Sequence, residues 1–455
     1  MRQKLHRGKG ALVTGSARIF RWSVDRSSAR AVFLAWAVAL LGNAWPAPVR
    51  AQLTGPEFQV NSTTTDYQGH PSVSAGSSGG FVVVWDSEQQ DGSARGTFGQ
   101  RYQSSGTPSG SEFQVNTFTT YAQGIPSVAA TGPGSFVVAW TSYQQDGNGA
   151  GVFGNRIVAG VPQAEFPVNT TILGDQKGVG VAGDPAGDSA VVWWSVGQDG
   201  SGAGIYTRRF DSAGAPLTGE QPVNTFTTGS QWIPAVASLG AGEFVVTWES
   251  SGQDGSGYGV FARRINGAGA PTGTEIAVNS HTTGEQNRPA VAGAPGGGFV
   301  VVWVSSGQDG SGEGVFGRSF DATGAPLTDE FRVNVETLGG QREPAIAADT
   351  AGGFLVTWQS FDGDNDGIFG RYLSAAGVPA SGEFQVNSFT TNYQSRPAIA
   401  PAGGGEFVVV WESNLQDGSS LGIYGQRIRR GLFLDSFESA DECAWSTAVG
   451  GGGSC

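Results

Sequence analysis

The chain has 455 residues, of which 74 are glycine, and its formal net charge is −13. Abundant glycine without a three-residue period excludes collagen, and 11% aromatic residues exclude a disordered chain. Two cysteines and three histidines leave too few side chains for a disulfide framework or a cysteine or histidine zinc site. Many Gly, Val and Phe with only 14% charged residues are typical of an all-β protein with short strands and tight turns.

The N-terminal segment has the parts of a secretory signal. Basic residues are frequent in 1–30, an apolar run occupies 31–41, and Val49 and Ala51 supply small residues before a cleavage point. The apolar run is shorter than the roughly 20 residues that a membrane span needs, and the alternative is a buried helix or a short anchor. We therefore predict a signal peptide at 1–51, no membrane span, and a secreted protein that is extracellular, cell-surface or periplasmic.

The charge of the remaining chain limits its partners. Residues 1–51 hold nine of the 26 basic residues and one of the 39 acidic ones, so without them the net charge is −21. A surface this acidic repels phosphate backbones and anionic membranes. We expect no nucleic-acid partner.

Seven repeats fill residues 52–430. Each has an apolar run that ends in Trp, followed two residues later by Ser, and the spacing between successive Trp residues is 53 or 55. Six repeats continue with Gln-Asp-Gly, and every repeat has an Asn seven residues before a Gln. The repeated Trp residues, which we assign to packing between blades, are Trp85, Trp140, Trp193, Trp248, Trp303, Trp358 and Trp411.

Each repeat reads as four short strands. In the fourth repeat they are 234–238, 244–248, 259–265 and 275–279, joined by Gly-rich turns. Four strands per repeat predict a blade of a β-propeller. The segment 57–61 matches the fourth strand of a repeat, whereas the last repeat ends after its third strand. We therefore predict seven four-stranded blades, with the N-terminal strand pairing into the last blade and closing the propeller. An open solenoid or two stacked sandwiches are the alternatives.

These repeats resemble a family of secreted bacterial proteins with F-V-V-x-W-x-S-x-x-Q-D-G repeats. The pattern Pro-x-Val/Ile-Ala, apolar strand, polar turn and Gly-x-Pro is more distantly similar to the periplasmic propeller of the Tol-Pal system. The resemblance covers about residues 53–430 and implies a propeller. It implies no activity, because this fold carries many.

The repeated polar loops have two interpretations. They lie on one face and would present a binding surface for cations, glycans or a protein. Alternatively, Asn, Asp, Ser and Thr satisfy backbone groups of the turns, and their recurrence in every blade favours this structural role. The Arg of the third strands, such as Arg209 and Arg264, could likewise bind a carboxylated sugar, but recurrence favours pairing between blades.

The sixth repeat contains a candidate calcium site. Asp362, Asp364 and Asp366 alternate before Gly367, as at the start of a calcium-binding loop. The twelfth position, where a bidentate Glu belongs, is Leu373, so only half of the motif is present. We predict calcium as the one candidate cofactor, and a solvated acidic turn is the alternative.

Four aromatic residues depart from the repeat and form a candidate ligand face for a sugar or a protein partner. The alternative is that each covers a neighbouring loop. They are Tyr67, Tyr121, Trp232 and Tyr393.

The segment 431–455 is not part of the repeats. Its Leu-Phe-x-Asp-x-Phe-Glu-Ser-x-Asp pattern with a later Trp-Ser resembles a short C-terminal segment of many secreted proteobacterial proteins. Cys443 and Cys455 are a candidate disulfide for an oxidising compartment, and two free thiols are the alternative.

These features predict a secreted, non-catalytic, monomeric propeller scaffold for recognition or adhesion of a protein or glycan, with calcium as a candidate stabiliser. No nucleophile–His–Asp set and no phosphate-binding loop can be assembled. The alternative is a glycan-active propeller enzyme, a glycosidase or lyase, with a site at the central channel. The two differ in one feature: an enzyme needs a non-repeating polar cluster at the channel, whereas a scaffold repeats sevenfold there.

Overall fold

The computed structural model describes residues 50–350 and 352–431. This part of the chain contains thirty β-strands and no helix. The strands form seven sheets, and each sheet is one blade of a β-propeller. The all-β, seven-bladed architecture predicted from the repeats is therefore confirmed. None of the described residues belongs to a helix that could span a membrane.

The strand boundaries are similar from blade to blade. The N-terminal strands and those of blades 1 to 3 are β1 (Arg50–Leu53), β2 (Phe58–Gln59), β3 (Gln68–Ala75), β4 (Phe81–Glu88), β5 (Arg95–Tyr102), β6 (Phe113–Gln114), β7 (Gln123–Gly132), β8 (Ser135–Tyr143), β9 (Ala150–Val158), β10 (Val161–Pro162), β11 (Phe166–Pro167), β12 (Gln176–Gly183), β13 (Ser189–Val196), β14 (Ala203–Phe210) and β15 (Gln221–Pro222). Those of blades 4 to 7 are β16 (Gln231–Gly240), β17 (Glu243–Ser251), β18 (Tyr258–Ile265), β19 (Pro271–Ala277), β20 (Gln286–Gly293), β21 (Phe299–Ser306), β22 (Glu313–Phe320), β23 (Phe331–Arg332), β24 (Arg342–Ala348), β25 (Phe354–Phe361), β26 (Asp366–Leu373), β27 (Phe384–Gln385), β28 (Gln394–Gly403), β29 (Glu406–Asn414) and β30 (Leu421–Gly431).

Each blade is an antiparallel meander in which sequential strands are neighbours. The first strands of successive blades contact one another, so they form the inner edge, and β28 of blade 7 contacts β3 of blade 1. Blade 7 takes its outer strands from the N-terminus: β2 pairs with β30, with Phe58 opposite Gly425, and β1 pairs farther along, with Leu53 opposite Ile428. The ring of Phe58 lies on Gly425, where a Cβ would approach it to 2.9 Å.

The second strand of each blade is apolar on both sides because it is covered on both sides. In blade 5, Phe299, Val301 and Trp303 are fully buried. Seven apolar clusters lie between neighbouring sheets, and all seven repeated Trp residues are 0% exposed. Blades 1 and 7 share such a cluster, in which Val60 and Val73 pack with Val408. The predicted packing role of the repeated Trp residues is thus confirmed.

Strand boundaries in the fourth repeat differ from the sequence interpretation, and the fourth strand occupies Pro271–Ala277 rather than 275–279. The second strand runs to Ser251 rather than ending at Trp248, because the residues after the Trp pair on both sides, Ser250 with Gln231 and with Gly259. The first strand likewise begins at Gln231, before a bulge that sequence periodicity cannot show.

Several predictions fall outside the described residues. They are the apolar run at 31–41, the C-terminal segment after 431, and Cys443 with Cys455. The signal peptide, its cleavage after Ala51 and the disulfide remain predictions.

Candidate functional site

The repeated Asn and Gln hold the loops between blades in place. In blade 4, the Asn279 amide donates to Gln286 Oε1 at 3.2 Å, and Asn279 Oδ1 accepts the buried N–H of Val260 at 2.7 Å. The same two bonds occur in every blade. These side chains therefore satisfy backbone groups, which supports the structural interpretation of the repeated loops.

The Asp of each Gln-Asp-Gly loop closes its own turn. Asp254 Oδ1 accepts the N–H of Ser256 at 3.1 Å, and equivalent bonds occur in all six loops that carry the motif. Asp is suited to this geometry because its side chain reaches the backbone two residues on. These carboxylates are consequently part of the turn.

A repeated Glu at the start of each fourth strand links neighbouring blades, a role that sequence analysis missed. Glu275 accepts the N–H groups of Thr225 and Phe226 from the preceding loop and the Gln253 amide at 2.5 Å. Burial acts to raise the pKa of Glu275, but these hydrogen bonds outweigh it and hold the pKa below its usual value. The signal was a Glu at the same position of every repeat: Glu57, Glu112, Glu165, Glu220, Glu275, Glu330 and Glu383.

The third-strand Arg residues also link blades. Arg156 donates to the Ala213 carbonyl of the next blade at 3.2 Å, and Arg318 donates to the Val278 carbonyl of the preceding blade at 3.1 Å. Arg101, Arg209, Arg371 and Arg427 make equivalent contacts, whereas Arg264 pairs with Glu243 of its own blade at 2.6 Å. The predicted pairing between blades is therefore found for the other residues but is wrong for Arg264, whose nearest carboxylate lies on the adjacent strand of its own sheet.

The three acidic residues of the sixth repeat each have separate partners. Asp362 Oδ1 accepts the N–H of Asp364 at 3.1 Å, Asp364 Oδ2 accepts the N–H of Asn392 at 3.2 Å, and Asp366 accepts the Gln359 amide at 2.6 Å. Among the described residues, no group of three or more His, Cys, Asp or Glu side chains converges as a metal site. Calcium binding by this loop stays a prediction.

The four off-repeat aromatic residues lie at separate places. Tyr121 and Tyr393 are 56% and 42% exposed, and Tyr393 occupies the same repeat position as Tyr67, directly before the repeated Gln. Tyr67 and Trp232 are half-buried and contact residues at the inner ends of the blades. The structure therefore divides the predicted ligand face, and two of its members belong to a different arrangement.

Three positions at the inner end of each blade break the sevenfold repeat, and we call their occupants the inner ring. The residues two places after the repeated Gln are His70, Ile125, Gly178, Ile233, Arg288, Glu343 and Arg396. The residues directly after that Gln are Gly69, Gly124, Lys177, Trp232, Asn287, Arg342 and Ser395. The residues after the buried Trp are Asp86, Thr141, Trp194, Glu249, Val304, Gln359 and Glu412.

The inner ring is strained in the same way in every blade. The residue two places after the Gln has a positive φ throughout, for example 51° at Arg288 and 48° at Glu343, where the first strand bulges. A side chain in this conformation costs roughly 1–2 kcal/mol. Such strain clusters at ligand sites. In three blades a buried carboxylate accepts the N–H of the strained residue: Asp86 from Ile125, Glu249 from Arg288 and Glu412 from His70.

Charged residues of the inner ring form a continuous series across blades 5, 6 and 7. Arg288 pairs with Glu343, and Glu343 also acts electrostatically on Arg396. Arg396 Nη1 lies 3.1 Å and 3.2 Å from the two oxygens of Glu412. Contacts between successive blades place these side chains around the central channel.

The series continues into blade 1. Glu412 accepts the Tyr67 hydroxyl at 3.5 Å, and the guanidinium of Arg95 lies 4.5 Å from the Tyr67 ring centre. His70 Nδ1 is 3.0 Å from Asp86 Oδ2. Burial raises the pKa of Tyr67 well above its usual value, and the charges of Glu412 and Asp86 add to this effect. We call the series from Arg288 to Arg95 the charged arc.

Aromatic residues occupy the opposite part of the inner ring, on blades 2 to 4. Trp194 and Trp232 meet edge to face, with ring centres 4.5 Å apart. The Lys177 ammonium lies 4.9 Å from the Tyr143 ring centre and 5.9 Å from that of Trp194. Gly178, with φ of 66°, is required because a Cβ there would collide with the Trp194 indole. We call Tyr143, Lys177, Trp194 and Trp232 the aromatic wall.

A cavity of about 240 Å³ lies at the charged arc, lined by Ile233, Arg288, Pro289, Glu343 and Pro344. It therefore spans blades 4, 5 and 6. Ile233 of its lining directly follows Trp232 in the chain. Glu249 lies behind Arg288 and accepts the backbone N–H of Arg288 at 3.0 Å. Burial raises the pKa of Glu249 above that of an ordinary carboxyl group.

Comparison with known proteins extends only to the fold. No protein-family model matches the sequence, and no curated protein is significantly similar to it. Membership of the repeat family that the sequence resembles therefore stays a prediction.

Solved structures with a similar fold share little sequence. A protein of unknown function from Dyadobacter fermentans has a TM-score of 0.52 at 11% identity, covering 84% of this chain and 99% of its own. An α-L-arabinofuranosidase from Fusarium graminearum has 0.46 at 11%, covering 83% and 98%, and a Hadza microbial sialidase has 0.46 at 10%, covering 82% and 68%. Similarity at such low identity concerns the fold and not the activity.

Proposed function

We propose that the protein is a glycan-active propeller whose site lies at the inner ring, at the mouth of the central channel. The observation that carries this proposal is that the repeat breaks at the inner ring and there gathers aromatic, basic and acidic side chains. A non-repeating polar cluster at the channel is the feature that distinguishes a propeller with a single site from a sevenfold scaffold. This favours the alternative considered from the sequence over the scaffold.

The aromatic wall supports a sugar as ligand. Partly exposed indole and phenol rings offer flat apolar surfaces with polar edges, which suit the C–H face of a pyranose or furanose ring. Trp194 is held in place by its edge contact with Trp232 and by the absence of a side chain at Gly178. A ring fixed before binding loses little entropy when the ligand arrives.

The groups next to the cavity support bond cleavage. Most glycoside hydrolases use two carboxyl groups, one of which must hold a proton at working pH. Glu343 supplies a carboxylate on the cavity wall, and the buried Glu249, whose pKa is raised by burial, lies directly behind Arg288 of that wall. In this proposal Glu249 protonates the leaving oxygen and Glu343 assists as base or nucleophile.

A non-catalytic recognition site is the second candidate. It is favoured by the charged arc, in which Glu412 and Asp86 are buried and already accept hydrogen bonds from Arg396, His70 and Ile125. Glu249 accepts the N–H of Arg288 in the same way, and in this second candidate all three carboxylates position neighbouring groups for binding. In either case we propose that the protein acts as a secreted monomer after loss of 1–51.

The proposal is tested by release of reducing ends from a panel of polysaccharides, with glycan binding measured in parallel. Glu249→Gln and Glu343→Gln are expected to abolish the release of reducing ends while glycan binding persists. Glu336→Gln, on the exposed loop between β23 and β24, serves as the carboxylate control. Binding without release by the wild-type protein would favour the recognition site. Absence of both would reject a glycan site at the inner ring.

A further inference from the structure

We infer that the inner ring selects a carboxylate-bearing glycan, such as one that contains uronic acids; this inference rests on the proposed function and specifies its ligand. Residues 52–431 contain 17 Lys and Arg, against a strongly acidic remainder. Nine occupy the two repeated third-strand positions, at Arg101, Arg156, Arg208, Arg209, Arg263, Arg264, Arg318, Arg371 and Arg427.

Most of the other basic residues gather at the channel mouth. Of the eight that remain, five belong to the inner ring or contact it, and they are Arg95, Lys177, Arg288, Arg342 and Arg396. Each of the five pairs with a carboxylate, so the charge that an approaching anion meets depends on which member of each pair is exposed. The third-strand Arg residues differ because most of them donate to framework carbonyls of a neighbouring blade.

Exposure within the ion pairs shows which charge a ligand meets. The Arg396 side chain is 45% exposed while that of its partner Glu412 is 1% exposed. Arg95 is 36% exposed and lies 3.8 Å from Asp86, which is 0% exposed. In both pairs the carboxylate is hidden and orients the guanidinium, whose accessible side is available to a second anion. Arg288, 42% exposed, adds a third guanidinium at the cavity.

Guanidinium groups match carboxylates in shape as well as charge. The planar N–H fork donates two parallel hydrogen bonds to the two carboxylate oxygens. Trp232 of the aromatic wall directly precedes Ile233 of the cavity lining, so we expect a sugar ring stacked on that wall to place a neighbouring acidic residue toward Arg288 of the cavity. An oligosaccharide that carries carboxylates matches both parts of the ring at once.

The test uses full-length secreted protein and matched probes. Tetragalacturonate, its methyl-esterified counterpart and a sulfated galactose oligosaccharide are titrated by calorimetry at low and high salt, beside an array of neutral, sialylated, uronate and sulfated glycans. We expect uronate binding that weakens with salt, and about tenfold to a hundredfold weaker binding in Arg288→Gln and Arg396→Gln. Arg332→Gln, on an outer strand, is the matched control and should bind as wild type.

The outcomes separate this inference from the proposed function. Equal binding of the ester and the acid, unaffected by either Arg substitution but lost in Trp194→Ala, would overturn the inference and leave a neutral-glycan site. Preference for the sulfated probe over all carboxylates would also overturn it. Retention of no glycan on the array would reject the inference and the proposed function together.

Discussion

The repeated polar residues near the connections between blades and the inner ring are close to each other along the chain but use polar side chains in opposite ways. Near these connections, Asn279 and Glu275 are repeated sevenfold and bond to backbone groups of their own or a neighbouring blade. In the inner ring, Arg288, Glu343 and Trp194 have no counterpart in most other blades and remain partly exposed. Repeated residues therefore form the framework of this propeller, and the positions where the repeat is broken form the surface available for a ligand.

The largest expected effect is on the framework. Trp303→Ala removes a fully buried indole between two blades, and we expect a loss of about 3–5 kcal/mol in the free energy of unfolding. Trp194→Ala, in the aromatic wall, should cost far less stability but abolish glycan binding. Denaturant unfolding and calorimetric titration of both variants measure this contrast. Equal destabilisation by the two would show that Trp194 belongs to the framework.

The next largest effect on the free energy of unfolding is expected from the repeated Asn side chains. Asn279→Ala leaves the buried N–H of Val260 without its acceptor and removes the bond to Gln286, so we expect about 2–3 kcal/mol of destabilisation. Asn148→Ala, on an exposed loop, should change the unfolding free energy by less than about 0.5 kcal/mol. Similar denaturation midpoints for the two variants would contradict the structural role of the repeated Asn.

A pair of glycine variants isolates the aromatic wall. Gly178 and Gly273 both have φ of 66°, but only at Gly178 would a Cβ meet another group, the Trp194 indole. Replacing either by Ala should cost roughly 1–2 kcal/mol of strain. Only Gly178→Ala should displace Trp194 and weaken glycan binding, as titration would show. Unchanged binding in Gly178→Ala would remove Trp194 from the site.

A smaller effect is expected from acid. The pKa of Glu275 is held below its usual value, so its ionised form is favoured by folding. Its contribution is present above the unfolded pKa of about 4.3 and is lost as pH falls through the lower folded pKa. Thermal melts across this range should therefore fall more steeply for wild type than for Glu275→Gln. Parallel curves would show that the link between blades 3 and 4 does not depend on charge.

The smallest effect is expected from calcium at the sixth-repeat loop. Asp362 already uses one oxygen to accept the N–H of Asp364, so any bound ion would be held weakly by the remaining oxygens. At calcium ten times above the dissociation constant, stabilisation would be about 1.4 kcal/mol. A melt in calcium and in chelator, with Asp362→Ala as the comparison, measures it. Identical melting temperatures in all conditions would exclude the site.

The repeats in the sequence are enough to predict the fold and its framework. The Trp spacing of 53 or 55 residues and the apolar second strands specified seven blades, because a strand covered on both sides must be apolar along its length. Recurrence also identified the Asn, Asp and Arg residues of the turns and blade contacts as structural, and hydrogen bonds such as that from Asn279 to Gln286 agree.

The position of the proposed site depends on the tertiary structure. Arg288 and Glu343 are 55 residues apart and carry no motif, and they meet at one cavity because the first strands of successive blades contact one another. Sequence analysis found Tyr67 and Trp232 but grouped them with Tyr121 and Tyr393, since the sequence does not tell which aromatic side chains pack against inner-ring residues and which stay exposed. The physical reason is that blade packing, a long-range property, selects which variable positions become neighbours.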